Sequence, residues 1–331
     1  SRFPPTAACA CAWSPWRSRV PTHRSSDPAV DGRPGPARTY AARAVDPTPF
    51  DTETAVELLT PPAGRDAPEP PPEGSGHRYR AEMSRRWWVM RGPNGGYLAA
   101  ILLRALTDTV GDPARHPRSL TVHYTRAPSE GAVEIATRVE RVGRSMTTAS
   151  ARMEQDGRLV ALTVAAFSGP RPGPEFCDVV MPQVPGPEAY VAPAVPREVP
   201  PIGQRYEIRW AIGHPPVPGV PPGARAVAGG WMRLAEHRPV DALLAAAMTD
   251  GWIPPMFSRV AEPVVVPTVD LTIHFRAGLP HPGCDPDGFV LAVFRTSVAH
   301  EGFVEEDGEL WAPDGTLLAQ SRQLATMLPL A

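Results

Sequence analysis

The sequence contains no lysine, and all 33 of its basic residues are arginines. Enzymes that form a Schiff base need a lysine amine, and P-loop nucleotidases need a lysine that contacts phosphate. Both classes are therefore excluded, and pyridoxal phosphate enzymes are excluded with them.

Cysteine, net charge and long apolar runs are also scarce. The four cysteines, Cys9, Cys11, Cys177 and Cys284, include no C-x-x-C pair, which excludes a disulfide scaffold and a zinc module. No apolar run approaches the roughly 18 residues that a membrane helix needs. A formal charge of -2 supplies no field that attracts nucleic acid. We expect a cytoplasmic protein that needs no metal or cofactor, binds no nucleic acid and does not span a membrane.

The sequence has 44 prolines among its 331 residues, and they are enriched in two stretches. Residues 1–76 show neither a strand period nor a helix period, so we expect them to be largely disordered, with a short strand or helix at 50–59. Residues 170–203 form a second proline-rich stretch. We interpret it as a linker between two folded domains, residues 77–169 and 204–331.

The two predicted domains resemble each other. The pattern Leu-Thr-aliphatic-His-aromatic occurs at residues 120–124 and again at residues 271–275. An apolar helix that ends in Thr-Asp precedes each copy, at 98–108 and 242–250, and an Asp-Gly turn follows each copy. The repeat predicts a duplicated α+β domain in which one buried helix is followed by an antiparallel meander.

Local signals in the first domain agree with this order of elements. Asn94, Gly95 and Gly96 precede a helix that is apolar nearly all round, which predicts an asparagine cap and a buried helix. Residues 133–140 alternate between apolar and charged side chains, as a half-exposed strand does. The dipeptide Asp156-Gly157 suits a type I′ hairpin.

The run Arg-Gly-Pro-Asn-Gly-Gly-Tyr-Leu at residues 91–98, taken with the duplicated strand motif, resembles the type II, TesB-like acyl-CoA thioesterases. The resemblance covers roughly residues 79–328. It implies a double hotdog, in which two tandem helix-plus-antiparallel-sheet domains form one continuous sheet. It also implies hydrolysis of a fatty acyl-CoA by an activated water, and assembly as a homodimer or higher homo-oligomer.

In that family an aspartate, a threonine and a glutamine hold the water, and their motifs fall on Asp250, Thr268 and Gln323. Asp250 lies near the C-terminus of the second helix, where the helix dipole disfavours a carboxylate. We therefore expect a bound water and donors such as Thr268 and Gln323 to compensate for that charge. Burial would raise the pKa of Asp250 toward the value that a general base needs.

The counterparts of these residues in the first domain are different. Strand alternation places Gln323 on an apolar face, and its counterpart in the first domain is Ala165. The counterpart of Thr268 in the first domain is Pro117. A buried amide must find hydrogen-bond partners. The asymmetry predicts one working site, on the second domain. The alternatives are a solvated aspartate that closes a helix and a glutamine with a purely structural role.

We expect Asn94, Gly95 and Gly96 to bind substrate, because amides at a helix N-terminus can stabilise an oxyanion. Helix capping and close packing would explain the same residues. A non-catalytic protein that binds acyl-CoA is the alternative function. A hydratase is disfavoured, because the hotdog dehydratases carry a histidine shortly after the aspartate and no histidine follows Asp250 closely.

Overall fold

The computed structural model describes residues 47–59, 71–192, 200–215, 223–260 and 264–329. Most of the N-terminal segment that we predict to be disordered, residues 1–46 and 60–70, lies outside the described residues. Among the described helices, none is both long enough and apolar enough to cross a bilayer.

The described residues form three α-helices and fifteen strands, together with short 3₁₀ turns. The helices are α1 (Pro49–Glu53), α2 (Gly95–Val110) and α3 (Ala242–Met248). The strands of the first half are β1 (Glu57–Leu58), β2 (Arg78–Met83), β3 (His116–Tyr124), β4 (Gly131–Val142), β5 (Met146–Gln155) and β6 (Arg158–Ser168). The strands of the second half are β7 (Tyr206–Ile212), β8 (Ala226–Leu234), β9 (Val264–Val265), β10 (Thr268–Phe275), β11 (Val290–Thr296), β12 (Ala299–His300), β13 (Phe303–Trp311), β14 (Leu317–Thr326) and β15 (Leu328–Pro329).

Thirteen of these strands form one antiparallel sheet. Its order is β1-β2-β4-β5-β6-β3-β10-β14-β13-β11-β8-β7, with β12 beside β13. The first half contributes the neighbouring strands β2-β4-β5-β6-β3, and the second half contributes β10-β14-β13-β11-β8. Taken from its outer edge inward, each set of five has its first strand outermost, then its third, fourth and fifth, and its second strand innermost, so the predicted duplication is visible in the topology. The large antiparallel sheet agrees with the predicted fold class. Strands β9 and β15 pair separately.

The two halves meet at the pair β3 and β10. Thr121 lies opposite Thr272, and their hydroxyl oxygens are 3.1 Å apart, within hydrogen-bonding distance. Both threonines hold the same position in the repeated five-residue pattern, so a pseudo-twofold axis passes between them. The repeated His123 and His274 are exposed on this pair of strands, which fits a role outside the candidate site.

Helix α2 is buried on most sides, as its apolar sequence predicts. Its N-cap is Asn94, and Gly111 ends it with a left-handed backbone at φ 60°. The helix packs on one face of the sheet and against α3, in a core shared by both halves. Helix α3 ends two residues earlier than we predict.

Residues 47–59 lie in the segment that we predict to be largely disordered, but they belong to the folded part and form both a short helix and a short strand, where we predict one of the two. Phe50 of α1 is fully buried and packs edge-to-face on Trp87, with ring centroids 5.6 Å apart. Trp87 stacks on Tyr97 of α2 at 5.1 Å. Strand β1 extends the sheet beyond β2.

The described part of the predicted linker contains no strand and lies over the second half of the sheet. Met181, Val184 and Tyr190 pack against an apolar cluster that includes Trp231 and Trp311. The indole nitrogen of Trp231 donates a hydrogen bond to the carbonyl of Pro185 at 2.8 Å. Strands β8 and β11, and β13 at Trp311, therefore have apolar contacts on this face as well as on the face that carries the helices.

The hairpin between β5 and β6 turns at Asp156 and Gly157, with φ angles of 51° and 69°. Positive φ at both central residues is the signature of a type I′ turn, so this prediction is confirmed.

Replacing Gly96 with alanine tests the close packing of α2 on α3. The new Cβ would lie 2.5 Å from the carbonyl oxygen of Ala247, so one of the two backbones must move. We expect the free energy of unfolding to fall by about 1–3 kcal/mol, as overpacked cores show. Thermal unfolding measures this change. Gly278→Ala is the control, because a Cβ at that position would meet no other part of the described chain within 4 Å; equal melting temperatures for the two variants would contradict the packing argument.

Candidate active site

Asp250 lies at the junction of the two helices, just after the C-terminus of α3. Its Oδ2 accepts a hydrogen bond from the backbone N–H of Gly96 at 3.0 Å and another from the side-chain amide of Asn94 at 2.8 Å. The same Asn94 amide also donates to the backbone carbonyl of Asp250, at 2.7 Å. The unfavourable dipole of α3 is thus opposed by the favourable N-terminus of α2.

This contact modifies our expectation for the charge of Asp250. We expect Thr268 and Gln323 to compensate for it, but the two shortest hydrogen bonds to the carboxylate come from Asn94 and Gly96. The amide of Gly96, which we predict to receive a substrate oxyanion, is directed at Asp250 in this structure.

The three residues 94–96 fit this arrangement locally. Asn94 accepts a hydrogen bond from the backbone N–H of Tyr97 at 3.0 Å, which confirms it as the cap of α2. A Cβ at Gly95 would lie 3.0 Å from Oδ2 of Asp250, and a Cβ at Gly96 would lie 3.0 Å from its Cβ. The two glycines therefore let the carboxylate reach the first turn of the helix. The hydroxyl of Tyr124 donates to the carbonyl of Gly95 at 2.7 Å and fixes that turn to β3.

The structure brings Asp250, Thr268 and Gln323 together. The side-chain amide of Gln323 donates to Oδ1 of Asp250 at 3.3 Å. The hydroxyl of Thr268 donates to the amide oxygen of Gln323 at 2.9 Å. Thr268 thus reaches Asp250 through Gln323, and Gln323 is the central residue of the group.

Sequence reasoning missed a fourth polar residue, Glu306. It lies on β13 directly opposite Gln323, whose amide donates to its Oε1 at 2.8 Å. Glu306 is only 8% exposed. A signal was available, because residues 305–307 are three consecutive acids within a strand, and alternation must turn at least one of them toward the core.

The surroundings give the two carboxyl groups different pKa values. Burial raises the pKa of Asp250 to about 6, although its hydrogen bonds from Gly96, Gln323 and Asn94 act in the opposite direction. Burial, and then the charge of Asp250, raise the pKa of Glu306 to about 8. Both shifts disfavour a doubly ionised pair, and the larger one on Glu306 favours a state in which Glu306 carries the proton and Asp250 the charge.

A small cavity of about 30 Å³ adjoins these side chains, which is room for about two water molecules. Its polar lining comes from Asp250, Thr268, Thr296, Glu306 and Gln323. The rest of the lining is apolar: Pro254, Met256, Val266, Val304 and Ala325. The cavity holds a potential base, hydrogen-bonding side chains and space for a nucleophilic water.

The corresponding place in the first half lacks this chemistry. In the sheet, Gln323 lies between Leu271 on one side and Glu306 on the other. Its counterpart Ala165 lies between Leu120 and Ala149, so Ala149 is the counterpart of Glu306. Alanine therefore replaces both Gln323 and Glu306 in the first half.

The first-half counterpart of Asp250 is Asp108, and its environment differs. Asp108 is exposed, and its carboxylate accepts a hydrogen bond from the hydroxyl of Tyr79 at 2.7 Å. Asp250, Thr268, Gln323 and Glu306 thus all come from the second half, while Asn94 and Gly96 of the first half donate hydrogen bonds to Asp250.

Comparisons with known proteins agree with the fold. An uncharacterised protein of Mycobacterium tuberculosis is 25% identical over 283 residues, which cover 76% of this chain and 91% of the relative. A hotdog-fold protein of unknown function from Alicyclobacillus acidocaldarius is 27% identical with a TM-score of 0.69, covering 85% of this chain and 98% of its own. The acyl-CoA thioesterase II TesB2 of Mycobacterium marinum shares the fold at 20% identity with a TM-score of 0.64, covering 85% and 99% of the two chains.

Two family models match the two halves in order. The acyl-CoA thioesterase N-terminal domain matches residues 84–168, and the acyl-CoA thioesterase C-terminal domain matches residues 177–327. Together they cover most of the described sheet and both long helices. The chain therefore belongs to the TesB-like, type II acyl-CoA thioesterase family, and it is a thioester hydrolase.

Proposed function

We propose that this hydrolase cleaves a fatty acyl-CoA to the free acid and CoA, with a water molecule activated by Asp250. The observation that carries the proposal is the convergence of Asp250, Gln323 and Thr268 on one cavity of about 30 Å³. A carboxylate with a pKa of about 6 is ionised at neutral pH and basic enough to accept a proton from water.

In the proposed reaction, Asp250 takes a proton from the water as the water oxygen attacks the thioester carbonyl carbon. The carbonyl electron pair moves onto the oxygen and forms a tetrahedral intermediate. When the carbonyl re-forms, the C–S bond breaks and its electron pair leaves with the CoA sulfur, which takes up the proton that Asp250 had accepted and so returns the base to its ionised form. Gln323 and Thr268 orient the base and the water, a task that positioned hydrogen bonds perform well.

Asn94, Gly95 and Gly96 contribute to substrate binding in this proposal mainly through Asp250. Asn94 and Gly96 donate to the carboxylate, and the missing side chain at Gly95 leaves room for it. The first turn of α2 therefore determines the position of the Asp250 carboxylate relative to the bound thioester.

The same proposal includes the organisation of the chain. Residues 77–169 and 204–331 are two hotdog domains, and residues 170–203 are the linker between them. The mirrored strand order of the two halves supports this division. Assembly into a homodimer or higher homo-oligomer and a cytoplasmic location remain predictions from the sequence.

Replacing Asp250 with asparagine tests the general base. Asparagine keeps the shape of the side chain but cannot accept the proton, so we expect kcat to fall by about two to four decades. Release of free CoA thiol, followed with a thiol-reactive chromophore across short to long acyl-CoA substrates, measures the change.

The matched control is Asp108→Asn, the same replacement at the equivalent helix end of the first half, which should leave kcat unchanged. Undiminished hydrolysis by a folded Asp250→Asn protein would remove Asp250 from the mechanism. If the wild-type protein hydrolyses no acyl-CoA and acyl-CoA still raises its melting temperature, the protein binds acyl-CoA without turning it over.

The pH dependence of kcat tests the same assignment. The base works only when it is ionised, so kcat should rise about tenfold per pH unit below the pKa of about 6 and level off above it. Initial rates between pH 4.5 and pH 7 measure this limb of the profile. A rate that stays constant, or falls, over this range would show that Asp250 is not the proton acceptor.

A further inference from the structure

The amide of Gln323 is held from three sides. Its nitrogen donates one hydrogen bond to Asp250 and another to Glu306, and its oxygen accepts from Thr268. Both amide hydrogens and the amide oxygen therefore have partners, which fixes the orientation of the amide group.

Glu306 is the closer of the two acceptors. The distance from the amide nitrogen of Gln323 is 2.8 Å to Glu306 and 3.3 Å to Asp250. Without Glu306, the amide nitrogen would keep only its longer hydrogen bond to Asp250. The position of Gln323 relative to Asp250 therefore depends on the carboxyl group of Glu306.

The fold itself does not require a glutamate at this place. In the first half Ala149 occupies the equivalent position and is fully buried in an otherwise similar sheet. A buried carboxyl group costs free energy unless it is hydrogen-bonded, and here its hydrogen bond goes to a residue of the candidate site. A role in that site explains the residue better than packing does.

We propose that Glu306 is a positioning residue for hydrolysis: as a neutral acid it holds the Gln323 amide beside Asp250, and its ionisation stops turnover at alkaline pH. The inference rests on the proposed function, because it concerns the same site. Neither the comparisons nor the family resemblance assigns a role to this residue.

The charges around Glu306 favour its neutral form. The other charged groups on its own strand are Glu305, Asp307 and Glu309, and those on neighbouring elements include Asp250, Asp270, Arg295 and Arg322. The two arginines are paired with other acids, Arg295 with Glu309 and Arg322 with Asp307. Among the described residues, no ion pair is made by Glu306. An ionised Glu306 would thus add a second negative charge beside Asp250 and close to the oxyanion that forms during the reaction.

The pKa of Glu306 agrees with the geometry. Burial and the neighbouring charge of Asp250 raise it to about 8, which favours the neutral acid at pH 7. Oε1 accepts from Gln323, which leaves Oε2 to carry the proton.

Two replacements of Glu306 separate its hydrogen bond from its charge. Glutamine keeps an oxygen that can accept from Gln323 and cannot ionise. We expect Glu306→Gln to keep kcat at pH 7 within about threefold of the wild type and to lose the decline in kcat above pH 8. Leucine has no acceptor, so Glu306→Leu should lower kcat on the order of tenfold or more at every pH, with KM changed much less.

Asp307→Asn is the matched control. It removes one carboxylate from the neighbouring position of the same strand, where the side chain is partly exposed and paired with Arg322. It should leave kcat at pH 7 as in the wild type and keep the alkaline decline, displaced only slightly to lower pH, because the charge of Asp307 is the smallest of the named causes that raise the pKa of Glu306. A Glu306→Gln protein that retains the alkaline decline would overturn the proposal. A folded Glu306→Gln protein as inactive as Glu306→Leu would also overturn it, because the carboxyl group itself would then be required.

The melting temperature gives a readout that does not depend on turnover. The pKa of Glu306 is raised on folding, from its ordinary value of 4.5 to about 8. Between these values the unfolded chain releases a proton that the folded protein keeps, so this group makes the protein less stable as pH rises. The difference in melting temperature, Glu306→Gln minus wild type, should therefore increase from pH 5 to pH 8 and stay constant above pH 8.

A constant difference in melting temperature from pH 5 to pH 8 would show that Glu306 is ionised and would overturn its neutral role. A wild-type protein that hydrolyses no acyl-CoA would overturn the proposed function and the positioning role with it. In that case the pH dependence of the melting temperature still determines whether Glu306 is protonated, so the two failures are distinguishable.

Discussion

The site depends on the contact between the carboxylate of Asp250 and the first turn of α2. A carboxylate at the C-terminus of α3 is in an unfavourable field, and burial makes its charge more costly still. The N-terminus of a second helix supplies the opposite field together with a free backbone N–H, and it does so only if the two helices approach closely. Gly95 and Gly96 permit that approach. Because α2 belongs to the first half and α3 to the second, the base cannot be assembled by either half alone.

Much of this arrangement could be predicted from the sequence, because short sequence motifs indicate it. The five-residue repeat indicated the duplication, the asparagine before an apolar run indicated the start of α2, and Asp156-Gly157 indicated its hairpin. The contrast of Gln323 with Ala165 and of Thr268 with Pro117 indicated the half that carries the site. In each case the signal lies within a few residues or in the comparison of two copies.

The parts that could not be predicted are contacts between distant segments. The hydrogen bonds that join Asn94 and Gly96 to Asp250 span 156 and 154 residues, and no local pattern specifies them. Glu306 was missed although residues 305–307 are three acids within a strand: strand alternation predicts that one of them faces the core, but only the pairing of β13 with β14 shows that it meets Gln323. The docking of the linker on Trp231 and Trp311 likewise depends on a surface that exists only after the second half of the sheet has formed.

The pairing of β3 with β10 within one chain affects which substitutions the two halves can accumulate. Two identical hotdog subunits joined through such a pair would be bound by symmetry, so every substitution in one binding site would occur in the other as well. Here the two partners lie on one chain, and a mutation alters only one of them. The two halves can therefore differ, and they do: the first half has alanine opposite alanine and presents the N-terminus of α2, while the second half carries Gln323, Glu306 and Asp250.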